Sequence, residues 1–331
     1  MSNTILLNNR PEGKPQESDF KFVEQEVGTP GEQELLVEAL YVSVDPYLRG
    51  RMRDEKSYVP PFELNEPISS NIVAKVLESK HENFKEGDYV SGNMAWKKKQ
   101  VVSTDNLQKV NPDQAPLSAY LGILGLTGLT AYLGLNEIGQ PQKGETLLVS
   151  GAAGAVGSVV GQIGKILGLK VVGIAGSDEK IEMLTSKFGF DGGINYKTTE
   201  NMKEAIGKAC PDGVDIYFDN VGGEISDAVL FHINKMARIV ICGAIAVYNK
   251  TETPKALAVQ PFLVKNSALM QGFIVSNYAD KFKEAAQQLA QWLQEDQLHY
   301  EETIVEGFEN IPQAFIDLFD GKNKGKMVVK A

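Results

Sequence analysis

Two regimes of hydrophobic patterning divide the chain. Up to about residue 122, short apolar segments such as ELLVEALYVSV (34–44), 72–76, 88–90 and 99–102 stand between Gly-, Pro- and Asn-rich punctuation. Segments of that length, with partial alternation, predict a small, mostly β domain. From residue 146 the pattern changes to apolar runs separated by amphipathic stretches. TLLVS (146–150), KVVGIA (170–175), INY (194–196), VDIYFD (214–219), RIVICG (238–243) and ALMQGFIV (268–275) read as strands. Helices are expected at 155–167, 178–188, 199–210 and 224–235, with a last one at 278–295; Gly168 and Gly189 follow the first two, where a helix-ending glycine belongs. Strands rich in β-branched residues and spaced by single helices predict a doubly wound α/β domain with a parallel sheet covered on both faces. The tail returns to strand-like pieces (300–308 and 326–331) around a short helix at 311–319, and is expected to rejoin the β domain. The α/β part, 123–296, would then be inserted between 1–122 and 297–331, with a cleft between the two domains.

Composition narrows the chemistry. Lys and Arg total 33 against 43 Asp and Glu, a net charge of −10, which argues against nucleic acid and against anionic membrane surfaces. No run approaches the ~20 apolar residues of a membrane span, and the apolar start is too short for a signal peptide, so a cytoplasmic protein is the expectation. Two cysteines and three histidines, far apart in sequence, offer neither a disulfide framework nor a multi-cysteine zinc site. The three lysines at 97–99 read as a solvated edge. Glycine, with 32 residues, is the enriched type, and its placement carries the next step.

The strand TLLVS runs into Gly151, Ala152, Ala153, Gly154, Ala155, Val156 and Gly157, and then into a helix. Residues without a Cβ let a backbone turn tightly against a pyrophosphate, and the helix start supplies N–H groups and partial positive charge. The flanking strand and helix make this a dinucleotide-binding signature. It departs from G-x-G-x-x-G at Ala152, which is tolerable where φ is negative. The second strand ends without a carboxylate at its last position; Gly176, Ser177 and Lys180 follow, with Asp178 and Glu179 between them. A 2′-phosphate escapes repulsion at the strand end and can gain Lys180 and a hydroxyl donor, so NADPH (NADP) is expected over NADH, although the two carboxylates are competing partners for the lysine. Ligands in such sheets touch the carboxyl ends of strands. Those ends are Tyr196, Asn220 (with Gly222 and Gly223 behind it), Cys242 with Gly243 and Ala244, and Phe273, Ile274 and Val275.

The blocks GLTGLTAYLGL, VSGAAGAVGSVVGQIGK, GSDEK, FDNVGGE, ICGAIAVYN and EGFENIPQAF together resemble the zinc-free medium-chain dehydrogenases/reductases. Within them they are similar to the leukotriene B4 12-hydroxydehydrogenase/15-oxoprostaglandin 13-reductase group, with its curcumin and alkenal double-bond reductases, over nearly the whole chain. The resemblance implies a GroES-like catalytic domain with an inserted Rossmann domain, homodimers, and NADPH-dependent reduction of the C=C bond of an α,β-unsaturated ketone or aldehyde. It also implies cofactor contacts at Ala152 to Ala155, Lys180, Tyr196, Asn220, the segment from Cys242 through Ile245 to Tyr248, the segment from Met270 to Ser276, and Asn323. Zinc-bearing relatives have a cysteine ligand where Ser43 stands, so no metal is expected.

Reduction of an enone puts negative charge on its carbonyl oxygen, which calls for hydrogen-bond donors. Tyr248 is the first candidate, through the resemblance, and Tyr47 in DPYLRG is the second; each would also fit a structural role, packing on the cleft wall or holding a turn. A quinone reductase of the same superfamily and a dinucleotide-binding protein without catalysis are the competing readings.

Overall fold

The computed structural model describes residues 1–331. It divides into two compact units, one made of residues 1–122, 302–323 and 327–331, the other of 123–301 and 324–326. The first unit opens with a hairpin, β1 (Ser2–Leu7) on β2 (Phe20–Gln25). It continues through β3 (Glu34–Ser43), the short helix α1 (Leu48–Arg51), β4 (Ser69–Ser79), β5 (Tyr89–Ala95), β6 (Lys99–Ser103) and β7 (Gln108–Val110). Alternation explains β3: Leu35, Val37 and Ala39, every second residue, are fully or nearly buried, as is Val42 beyond a register shift between Ala39 and Tyr41, in the core that holds Trp96, Leu48 and Phe315. The buried Trp96 indole donates to Ser70 Oγ at 2.8 Å, so the core's largest side chain leaves no polar atom unpaired.

The second unit begins with α2 (Leu126–Leu133), β8 (Thr146–Ser150), α3 (Gly157–Ile166), β9 (Lys170–Ala175), α4 (Asp178–Glu182) and β10 (Gly192–Asn195). There follow α5 (Met202–Ala209), β11 (Val214–Asp219), α6 (Gly223–Val229), β12 (Ile233–Ile241), α7 (Gln260–Asn266), β13 (Leu269–Gly272) and α8 (Phe282–Gln294). The six strands pair in parallel in the order β10-β9-β8-β11-β12-β13. Chain order therefore reverses between β8 and β11, the Rossmann arrangement whose switch point is the usual dinucleotide crevice. All five residues of β8 are buried. That is the cost and the signature of a strand covered on both faces.

The chain closes with β14 (Glu302–Glu306), α9 (Ile311–Leu318) and β15 (Lys326–Lys330). These strands extend the first sheet, whose order is β14-β15-β3-β4-β5-β7 with β6 also on β3. The whole is a GroES-like β unit with a Rossmann unit in the α/β class.

The departures from the sequence reading are largest in three elements. The helix expected over 224–235 stops at Val229, because Ile233 already pairs with Val214. Three residues further on, Met236 turns at φ +64, and the register between β11 and β12 resumes only at Ile216 against Arg238. This looped-out insertion scrambled the strand period. The strand expected over 268–275 is paired only at Leu269–Gly272, and the last helix starts at Phe282 after a tighter turn over Val275–Lys281.

Candidate active site

The junction from β8 to α3 is shaped by contacts that exclude side chains. Gly151 has φ +59, and a Cβ on Gly157 would lie 2.5 Å from the Gly151 carbonyl oxygen and 2.8 Å from Ala152 Cα. Gly154 is less constrained, with its nearest atom, Gly151 O, at 3.2 Å. Ala152 is fully buried and is not among the six non-glycine residues with positive φ, so the missing glycine costs no backbone strain. Its methyl is accommodated by Gly173 of β9, where a Cβ would come within 2.9 Å of it. The small residue has moved from the loop to the neighbouring strand. No side chain caps α3 at Val156; Ser158 N donates to Gly154 O and Val159 and Val160 N to Val156 O, so the N–H groups placed to meet an anion are those of Ala155, Val156 and Gly157, where the loop enters the helix.

At the end of β9, Ser177 caps α4, its hydroxyl accepting from the Lys180 backbone N–H at 3.3 Å. A hydroxyl that accepts still has its proton to donate. The Tyr196 ring, following β10, covers Gly176 so closely that a Cβ there would be 3.0 Å from it. Both carboxylates have other partners as well: Asp178 accepts from Asn195 Nδ2 at 2.7 Å, and Glu179 pairs with Lys324. Burial, followed by the charges of Lys197 and Lys324, holds the Lys180 ammonium below the ordinary lysine value. Cations gathered around a half-buried lysine give the local field the sign that a phosphate requires.

The ends of β8, β11 and β12 are tied together by one residue, through its carboxylate and its backbone oxygen. Asp219, 2% exposed, accepts at Oδ1 from Ser150 Oγ, Tyr217 OH, Val221 N and Gly222 N, each at 2.9 Å, while Ser226 donates to Oδ2. Its backbone oxygen accepts from Cys242 N at 2.8 Å and Gly243 N at 3.1 Å. Asn220 is thereby fixed, its N–H on Ser150 Oγ at 3.0 Å and its Nδ2 on Ser150 O at 2.8 Å. Ile245 and Ala246 donate to Asn220 O and Val221 O, at 3.4 and 3.0 Å. The Tyr248 hydroxyl accepts from Ala244 N at 3.2 Å, folding the 242–248 segment back on itself. Burial and the Asp219 charge raise the Tyr217 phenol and push the Cys242 thiol up to about 12, although Cys242 as a residue keeps some surface.

The structure thus brings Gly151 to Val156, Asn220, Cys242 to Ile245 and Tyr248 to one edge of the parallel sheet, with Gly176, Ser177, Lys180 and Tyr196 at the ends of the neighbouring strands β9 and β10. Phe273 lies after β13, and its ring packs against Phe218 and Tyr278 at centroid distances of 6.5 and 6.4 Å. Tyr47 and Asn323 belong to the first unit. Tyr47 precedes α1, and burial, then the Asp45 carboxylate, raises its phenol well above 10, so it stays protonated at any physiological pH. Ser43 is buried and donates to Asp45. No group of three or more His, Cys, Asp and Glu side chains is placed to hold a metal ion. Ser150, Asp219, Lys197 and Lys324 were missed in the sequence; only Asp219, ending an apolar strand just before Asn-Val-Gly-Gly, carried a visible signal.

Residues 3–110 match the family described as the N-terminal domain of oxidoreductase, and residues 155–292 match the zinc-binding dehydrogenase family. The chain is 43% identical to the NADPH-dependent curcumin reductase of Escherichia coli, covering 98% of this chain and 95% of that one. It is 42% identical to the NADP-dependent 2-alkenal reductase of Nicotiana tabacum, over 98% of this chain and 96% of that one. The crystal structure of CurA from Vibrio vulnificus in complex with NADPH superposes with a TM-score of 0.95 at 40% identity, covering 99% of both chains.

Proposed function

This chain belongs to the zinc-free medium-chain dehydrogenases/reductases, in their enone and alkenal reductase group, and from that premise we propose how its own residues carry out the reaction. The activity is NADPH-dependent reduction of the C=C bond of an α,β-unsaturated ketone or aldehyde. The observation that carries the cofactor is the 151–157 loop, where Gly157 admits no Cβ and α3 begins uncapped. When bound, NADPH would supply the hydride to the β-carbon, and a proton taken from solvent at the α-carbon completes the saturated product. The protein's part is to hold the dinucleotide along 151–156, Asn220 and 242–245, to grip the 2′-phosphate with Lys180, Ser177 and Tyr196, and to answer the charge that develops on the carbonyl oxygen. Tyr248 is our candidate donor for that oxygen. Tyr47, kept neutral by burial, is the second. Preorganised donors of this kind are usually the largest contribution to such barriers. Asn323 completes the proposed cofactor contacts.

The test is a parallel assay of NADPH loss with a 2-alkenal, an enone and a quinone, with product analysis. A saturated carbonyl product from the first two is expected; turnover of the quinone alone would make this a quinone reductase. We also propose a homodimer through β13, the edge strand of the parallel sheet, where Leu269 is 47% exposed and Val264 of the preceding helix 80% exposed. A monomer by light scattering at micromolar concentration would contradict it. Residence in the cytoplasm is the reading that goes with two free cysteines, and no helix is long and apolar enough to cross a membrane.

A further inference from the structure

The first turn of α4 brings two carboxylates, Asp178 and Glu179, next to the lysine assigned to the 2′-phosphate. Such charges favour NADH, whose ribose offers a hydroxyl, and oppose NADPH. Asp178 is turned to Asn195. Glu179 is met by Lys324, 145 positions away in sequence.

Lys324 is not a loosely tethered surface residue. Residues 324–326 form a strap belonging to the Rossmann unit. Gly325 N donates to Ala153 O at 2.8 Å, and Gly325 forms a parallel bridge with Gly154, so the strap is stitched to the glycine loop itself. On its other side Lys326 N donates to Glu301 O at 2.9 Å. Gly325 has φ +62, and a Cβ there would lie 1.9 Å from Glu301 O, which leaves no latitude in the strap's path. This fixed path sets the backbone of Lys324 where its ammonium reaches Glu179.

Resting on the NADPH reading above, we propose that Lys324 determines the preference for NADPH over NADH by neutralising Glu179, the carboxylate that would otherwise repel a 2′-phosphate beside Lys180. Both partners are partly exposed, 39% for the lysine and 69% for the glutamate, so the pair adds little to stability. Its consequence lies in the local potential. The Lys324 charge is felt at Lys180, alongside that of Lys197.

The test is calorimetric binding of NADPH, NADH and adenosine 2′,5′-bisphosphate to the full chain, with Lys324→Gln, Glu179→Gln and the double variant. Lys324→Gln is expected to weaken NADPH and the bisphosphate by roughly threefold to tenfold, the effect of one partly exposed charge, and NADH by less than about twofold. In the Glu179→Gln background the same replacement should cost clearly less, because no carboxylate remains to be released toward the phosphate and only the direct, partly screened charge of Lys324 is lost. Equal weakening of NADPH and NADH would mean that the strap is only structural and would overturn the proposal. An undiminished loss in the Glu179→Gln background would overturn it too, with Lys324 acting on the phosphate directly. Lys180→Ala separates this from the underlying reading. If that variant weakens both cofactors equally, the 2′-phosphate assignment fails; if it selectively weakens NADPH while Lys324→Gln does not, only the role of Lys324 falls.

Discussion

The Ser150 hydroxyl donates to Asp219 Oδ1 at 2.9 Å, joining the last residue of β8 to the last residue of β11 across the point where the strand order reverses. The same hydroxyl oxygen accepts from Asn220 N. One buried pair therefore sets both walls of the dinucleotide crevice: the strand that launches the glycine loop and the turn that carries Asn220. Removing the carboxylate with Asp219→Ala strands several buried donors, each worth about 1–3 kcal/mol when left unsatisfied. A loss of about 3 kcal/mol or more is expected, seen as a fall in melting temperature of roughly 6–12 °C. Asp219→Asn retains an acceptor and should lose less than half of that. Equal melting of wild type and Asp219→Ala would remove Asp219 as the organiser of the crevice.

Tyr248 touches the machinery in two ways. Its hydroxyl accepts from Ala244 N, and in the proposed mechanism it donates to the substrate oxygen. Tyr248→Phe loses one backbone hydrogen bond, about 1 kcal/mol, so NADPH affinity should change by no more than about fivefold. Turnover of a saturating enone should fall further, by roughly tenfold or more, as the loss of a donor to a developing oxyanion implies. Stopped-flow hydride transfer with NADPH prebound separates the two, and unchanged turnover would leave Tyr248 a loop-closing residue only.

Lys180 gives the cofactor preference a pH signature. Its ammonium is the form that attracts a 2′-phosphate, and burial together with Lys197 and Lys324 lowers its pKa. Preference for NADPH over NADH should therefore decline as pH rises, with the decline beginning below the ordinary lysine value of 10.5. On the acid side the phosphate takes up its second proton near pH ~6, as phosphate monoesters do, and the preference falls again. Lys180→Ala should flatten the alkaline limb and raise the dissociation constant of NADPH by a much larger factor than that of NADH. A preference that stays flat from neutral pH to the ordinary lysine range in the wild type would contradict this.

The two thiols should be inert. Burial pushes Cys210 up to about 11, and burial with the Asp219 charge pushes Cys242 up to about 12. Only the thiolate reacts, so at pH ~8 roughly one molecule in a thousand or fewer carries a reactive sulfur at either position. Native protein should give far less than one equivalent with Ellman's reagent over minutes, and two equivalents after unfolding. Rapid stoichiometric labelling of the native form would mean that the Cys242 segment opens.

Local signals made much of this molecule legible. The central strands β8, β9 and β11, the glycine loop and the helix stops follow from runs of β-branched and apolar residues and from glycines whose positions have steric reasons. The β12 boundary was not legible, because the residues looped out around Met236 break the period of 2 that marks a strand. The electrostatics of the site were not legible either. Whether Glu179 pairs with Lys180 or with Lys324 depends on a strap 145 residues away, and no local pattern reports such a contact. Likewise the network on Asp219 gathers Ser150, Tyr217 and Ser226 from three elements, so that its importance appears only when the strands are side by side.

The glycines of the loop are not equivalent, and the difference is testable. A methyl on Gly154 would meet only Gly151 O, at 3.2 Å, a contact that a few tenths of an ångström of movement relieves. A methyl on Gly157 would lie 2.5 Å from that oxygen, 2.8 Å from Ala152 Cα and 3.0 Å from the Gly151 carbonyl carbon, all of them backbone atoms that cannot rotate away. Relief there requires α3 to withdraw from the loop, and Ala152 cannot follow because its methyl is seated against Gly173. The helix N–H groups would then retreat from the pyrophosphate they are proposed to hold. Gly157→Ala should raise the dissociation constants of NADPH and NADH together, by roughly a hundredfold, since overpacking costs about 1–3 kcal/mol and the retreat weakens the anion contacts as well. Gly154→Ala should cost less than about tenfold. The shared loss for both cofactors distinguishes a pyrophosphate defect from the NADPH-selective loss expected at Lys180, and a Gly157→Ala protein that binds either dinucleotide normally would show that the loop does not carry the cofactor.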